Sequence, residues 1–196
     1  MPYIPLPVPA HAPKAVRFVC RVIDGAFQEI RSIMEVEATY GTSGKDQFQR
    51  SLATLLLSAT DGASQIFIAA SERDNGKRFT RFLHENFPWH RVQMDPNAAC
   101  TYMWESARCS QIHRFGLYSG DEVRKFARPF TLDDIELAAL EHGREPSKPF
   151  IVQENGKTVV WLDALYWSLR QAIANAIDTP EKTEAVHKHL KSRKWK

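Results

Sequence analysis

Apolar residues return every three to four positions through most of this chain, in stretches too long for strands, and glycine or proline separates one stretch from the next. That period is the signature of helices that each bury one face. From residue 14, Val16, Val19, Ile23, Ala26, Ile30 and Ile33 lie along one stripe that breaks at Glu37, and Gly41-Thr42-Ser43-Gly44 ends the helix. A second helix is expected from Lys45, with Phe48, Leu52, Leu55, Leu56, Ala59, Ala63, Ile66, Phe67 and Ala70 at helical spacing. Leu57 and Ile68 add apolar surface off that stripe, so this helix reads as central and packed on more than one side. Asp61-Gly62 interrupts it, and a carboxylate in a central helix needs a partner. The partner is either structural, an arginine or a helix-to-helix hydrogen bond, or belongs to a site.

A third, shorter helix is expected over residues 76–86, with Phe79, Phe82, Leu83 and the following Phe87 inward and Pro88 closing it. Asp95-Pro96 is a capping aspartate followed by proline at the first helical position. Ala98, Ala99, Tyr102, Met103, Ser106, Cys109, Ser110 and His113 then trace one face of a fourth helix. Phe115-Gly116 and Ser119-Gly120-Asp121 mark loops, residues 123–130 carry no clear period, and Thr131-Leu132-Asp133-Asp134 opens a short helix that Gly143 ends. Phe150-Ile151-Val152, Asn155-Gly156 and Thr158-Val159-Val160-Trp161 spell a β-hairpin, because Asn-Gly suits the positive dihedrals of a two-residue turn. Residues 163–177 return to helical spacing through Leu165, Leu169, Ile173, Ala176 and Ile177, and Thr179-Pro180-Glu181 starts a last, basic helix.

The fold class expected is mainly α, an antiparallel helical bundle with a small β-hairpin insertion. The bundle spans residues 14–178 as one domain, with the insertion at about 114–162. Residues 1–13 form a proline-rich arm and residues 179–196 a basic C-terminal helix and tail. The arm is read as extended, either a strap laid on the domain or a proline-motif ligand for another protein.

Charge is unevenly placed. The formal net charge is +3, but residues 187–196 hold five Lys/Arg and no acid, which leaves −2 for residues 1–186. His187-Lys188-His189 sits in that lysine-rich stretch and reads as a solvated segment, so no metal site is expected. The three cysteines, Cys20, Cys100 and Cys109, show no CxxC spacing, so neither a disulfide framework nor a zinc cage is indicated and a reducing cytoplasm is expected. The longest apolar runs, Leu55-Leu56-Leu57 and residues 66–70, fall far short of the roughly 20 residues a bilayer span needs. No membrane partner is expected.

Most familiar catalytic signatures are absent: there is no glycine-rich phosphate loop, GxGxxG, HExxH, GxSxG or paired CxxC. No cofactor is therefore expected. What remains is Arg108-Cys109-Ser110-Gln111-Ile112-His113, an arginine and a histidine with four residues between them. A second match of the same kind, Arg78 to His84 with five residues between, falls on what reads as a surface face beside Arg81. Roughly 1.6 such matches arise by chance in this composition, so the pattern gains weight only from its position after an aromatic-rich stretch.

The 108–113 pattern, with Ser51-Leu52 and Leu55 through Gly62 on the central helix and Tyr102 leading into the motif, resembles the R-x4-6-H motif of the HEPN superfamily. Those are compact helical bundles, many of them metal-independent endoribonucleases of toxin, phage-defence and RNA-processing systems. The resemblance covers roughly residues 14–113 and 163–177. It implies Arg108 and His113 as a catalytic pair acting on RNA through its 2′-hydroxyl, in a homodimer whose motifs meet across the interface; Asp61 of the central helix is the carboxylate expected to orient either group. Cys109 stands where active members commonly carry Asn, Asp or His.

On an unbroken α-helix residues five apart point about 140° away from each other. A compact pair thus requires a distorted helix, a curled arginine or a second protomer. The other readings of these residues are a buried Arg108 and Asp61 pair with His113 packed in the core, and a non-catalytic module that binds nucleic acid or protein. Lys191, Arg193, Lys194 and Trp195 of the tail are candidates for RNA contact, lysines and arginine to phosphate and Trp195 to a base, or else form a solvated helix end.

Overall fold

The first helix, α1 (Lys14–Tyr40), buries Val16, Cys20, Phe27, Ile30 and Met34 and leaves Ala26 exposed. The buried stripe is thus turned round the helix from the expected one: Val16, Cys20, Phe27 and Met34 recur at steps of four and seven and face the core, while Val19 and Ile33 only flank it. The computed structural model describes residues 3–40, 45–69, 71–108, 130–131 and 146–192. After α1 come α2 (Lys45–Phe67), α3 (Asn75–Asn86), a 3-10 turn (Trp89–Arg91) and α4 (Pro96–Thr101), which runs directly into a π-helical turn (Tyr102–Arg108). Strands β1 (Phe130–Thr131), β2 (Ile151–Glu154) and β3 (Lys157–Trp161) follow, then α5 (Leu162–Asn175) and α6 (Pro180–Ser192). The short helix expected from Thr131 to Gly143 lies, past Thr131, outside the described residues.

The chain is a mainly helical bundle with a β-hairpin. Helix α2 is its centre and packs against α1, α3, α5 and α6. Leu52, Ala53, Leu56 and Leu57 are all fully buried on it, which takes in both the expected stripe and the extra side, while Leu55 turns outward. Its buried hydroxyls bond within the helix: Thr60 Oγ1 donates to the Leu56 carbonyl at 2.8 Å and Ser64 Oγ to that of Asp61 at 2.7 Å. The helix therefore passes through Asp61-Gly62 without a break.

Caps set the starts of the shorter helices. Asp74 Oδ1 accepts from the amides of Gly76 and Lys77 at 2.7 and 3.1 Å, and Asp95 Oδ1 accepts from that of Ala98 at 3.0 Å ahead of Pro96. In the hairpin Asn155 and Gly156 take φ of 51° and 72°, a two-residue turn that pairs Glu154 with Lys157 and Ile151 with Val160. The sheet has the order β1-β3-β2, with β1 parallel to β3. Far from hanging off the bundle, the hairpin joins its main core. Phe150 stacks edge-on with Phe87 and Trp89 at 5.2 and 5.4 Å between centroids, and Ile151 and Val160 are fully buried.

The proline-rich segment from Tyr3 lies on the bundle as a strap. Tyr3 Oη and the Leu6 amide both donate to Asp24 Oδ1, at 2.6 and 2.8 Å. Arg170 of α5 donates to Tyr3 Oη and to the Ile4 carbonyl, and its guanidinium lies 5.0 Å above the Tyr3 ring. Burial, then the bond to Asp24, pushes the Tyr3 phenol far above its ordinary pKa, so it remains a donor. Farther along, Ala12 enters a second apolar cluster with Val16, Cys20, Ile177, Val186 and Leu190, which seats α6.

Candidate functional site

The described backbone of the motif helix ends on Arg108, and His113 lies outside the described residues. What precedes Arg108 is not the expected α-helix. From Tyr102 the chain widens into a π turn, a rare geometry that recurs at functional sites. Its inner side is anchored by fully buried Met103 and by Trp104, whose ring is 5.3 Å from that of Phe79. The indole lies so close to the start of α3 that a Cβ on Gly76 would sit 2.9 Å from its Cε2 and Nε1. Glycine at position 76 is what lets the π turn press onto α3.

Trp104 thereby reaches a polar junction at the C-terminal end of α2, centred on Gln65. Gln65 Nε2 donates to Asn75 Oδ1 at 3.1 Å, and its Oε1 accepts from the guanidinium of Arg78. The Arg78 guanidinium also donates to the Glu72 carbonyl, and the residue is buried. The Gln65 carbonyl accepts from His189 Nε2 of α6 at 3.1 Å. A carbonyl oxygen can only accept, so the proton is on Nε2. Two expectations change here. Arg78 is a core-edge residue and not a surface one, and His189, 8% exposed, is an anchor and not part of a solvated segment.

Asp61 lies one turn before Gln65 on α2, half-buried, with Oδ1 shielded from solvent. Lys191 is exposed two residues past His189. Arg193, Lys194 and Trp195 lie outside the described residues. Contacts from Trp104 to Gly76, Asn75, Gln65 and His189 therefore run across one end of the bundle, joining the π turn to the root of the basic tail. Gln65 and Trp104 were not singled out by sequence pattern, whereas Arg78 entered through the second motif match and His189 through His187-Lys188-His189, both read as surface residues.

A groove of about 860 Å³ opens beside the same helix, between α4 and the hairpin, where Arg91, Gln93, Tyr102, Gln153 and Thr158 line it. Met94, Ala98, Ile151 and Val152 make the rest of its wall largely apolar, and Glu154 adds a carboxylate. Burial, and then Asp95, pushes the thiol of Cys100 in α4 up to about 12; burial, and then Asp24, pushes that of Cys20 up to about 11. Neither is a thiolate nucleophile near neutrality. Among the described residues no cluster of three or more His, Cys, Asp and Glu could hold a metal ion. No helix among them is long and apolar enough to cross a membrane. Compared with protein-family models, curated proteins and solved structures, the chain matches none.

Proposed function

We propose that this chain is a HEPN-like protein that cleaves RNA without a metal, acting as a homodimer through Arg108 and His113. The observation that supports the reading is the π turn that ends on Arg108. The helix that leads into the motif is thus widened up to the motif's first residue, whereas an unbroken α-helix sends residues five apart to different faces. A widened helix is one of the three ways the motif becomes a compact pair.

In this reading His113 removes the proton from the ribose 2′-hydroxyl, or supplies one to the leaving oxygen. The 2′-oxygen bonds to phosphorus as the bond to the 5′-oxygen breaks, leaving a 2′,3′-cyclic phosphate and a 5′-hydroxyl. Arg108 holds the phosphate through charge-assisted hydrogen bonds and offsets the charge that develops on it. Asp61 orients one of the two from the central helix. Because α6 is tied to Gln65, its basic end starts at the same end of the bundle as the π turn, where Lys191 and the following Arg193, Lys194 and Trp195 add contacts to phosphate and base.

The test is incubation of the purified chain with mixed RNA in excess chelator, beside His113→Ala and Arg108→Ala. Cleavage by the wild type and loss of at least about a hundredfold in each variant is expected. Equal cleavage by all three contradicts the assignment. Salt-sensitive binding without cleavage favours the module reading, in which Cys109 replaces the polar residue of active relatives.

A further inference from the structure

We infer that the outward face of α1 is a contact surface for a second copy of this chain, with the two α1 helices crossing antiparallel at Gly25 and Ala26. Helix α1 has 27 residues and buries one side, yet its other side is not the polar surface an unpartnered helix presents. Phe18 is 65% exposed, Val22 58% and Val36 48%. Beside Phe18 and Val22 lies an apolar groove of about 460 Å³, walled by Ala15, Val19, Ile23, Ile66 and Leu190.

The order of charge along this face selects a second copy as the occupant. Exposed Lys14, Arg17 and Arg21 precede Gly25 and exposed Glu29 follows it, while Asp24 is taken up by the strap and Glu35 by buried Arg31 at 3.2 Å. Antiparallel helices lay the basic half of each over the acidic half of the other, and parallel ones align like charges. Arg21 and Glu29 each stand four residues from Gly25, so a crossing there sets Arg21 of each copy opposite Glu29 of the other, twice by symmetry. At that crossing a Cβ on Gly25 would meet nothing within 4 Å, and Ala26 is exposed, so small residues allow a close approach. Ala15, Val22, Ala26 and Ile33 share one shoulder of the helix at 3.6-residue spacing, which lets the apolar shoulder of one copy meet the same shoulder of the other. An anionic membrane would suit the basic half but would meet Glu29 on the same face.

The contact is measured without RNA: a monomeric wild type removes it together with the homodimer of the proposed function, whereas an α1-dependent dimer that cleaves no RNA removes only the proposed function. Sedimentation velocity of the full chain over a micromolar concentration series is expected to show a dimer. Phe18→Glu, Arg21→Glu and Glu29→Arg each weaken it by at least about tenfold, with circular dichroism unchanged since all three positions are exposed. The double variant Arg21→Glu with Glu29→Arg recovers the dimer, because the exchanged charges again face each other. A monomeric wild type, a dimer indifferent to Phe18→Glu, or a double variant without recovery overturns the proposal. So does a monomer that sediments with phosphatidylserine vesicles through Phe18, which would give the face to a membrane.

Discussion

His189 donates from Nε2 to the main-chain carbonyl of Gln65 at 3.1 Å, so the C-terminal helix is fastened to the end of the central one. That bond decides where the basic end of the chain begins. With the seat made by Val186 and Leu190, it directs α6 to the end of the bundle where Trp104 and Gly76 meet.

Replacing His189 by alanine leaves the Gln65 carbonyl without this donor and opens space at the α2 and α6 contact. We expect a loss of about 1–3 kcal/mol in urea unfolding. An unchanged midpoint would show that the bond carries no net stability.

Gly76→Ala places a methyl group 2.9 Å from the Trp104 indole, too close without movement of the ring or of the π turn. Overpacking of this kind costs about 1–3 kcal/mol. The variant is expected to melt earlier and to shift tryptophan fluorescence, whereas Gly62→Ala, with open space around its Cβ, melts no earlier than the wild type.

Asp24 accepts from both Tyr3 and the Leu6 amide and lies 3.8 Å from Arg170, so it holds the strap by one carboxylate. Asp24→Ala removes two hydrogen bonds at a half-buried site and is expected to cost about 1–3 kcal/mol. Limited proteolysis should then cut within residues 3–13 faster than in the wild type; equal rates would show that apolar packing alone retains the strap.

Cys20 and Cys100 are buried with thiols raised from 9.0 to about 11 and about 12. A folded pKa above the unfolded one means the folded state resists ionisation. Stability is full below pH 9 and falls as pH rises through 11 to 12. Unfolding midpoints measured from pH 7 to 11 are expected to be flat to about 9 and then decline. Both thiols should resist alkylation at pH 8 until the chain unfolds; rapid native labelling of either would contradict their burial.

Where one residue type dictates local geometry, the architecture was readable in the chain itself. Asp95-Pro96 starts α4 and Asn155-Gly156 turns the hairpin, because cap and turn chemistry act over a few residues. Period alone located the long helices and placed α2 at the centre. It misplaced the buried face of α1, since Val16, Cys20, Phe27 and Met34 form a neighbouring stripe that competes with the one through Val19, Ala26 and Ile33, and only packing decides between them. The π turn carries no signature in residue types, and the contact that seats it joins Trp104 to Gly76, two residues far apart in sequence. The burial of Arg78 and His189 was hidden for a related reason. Both look like solvated charges until Gln65, from a third helix, supplies their partner atoms.

Under the proposed function, Arg108 and His113 cleave RNA through its 2′-hydroxyl. The most direct measurement is the end group left on a short defined RNA incubated with the chain in chelator, read by mass spectrometry. We predict a 2′,3′-cyclic phosphate upstream and a 5′-hydroxyl downstream, no cut in the same RNA carrying 2′-O-methyl groups, and loss of product with His113→Ala. Cleavage of the 2′-O-methyl strand, a 5′-phosphate product, or full activity in His113→Ala would contradict it.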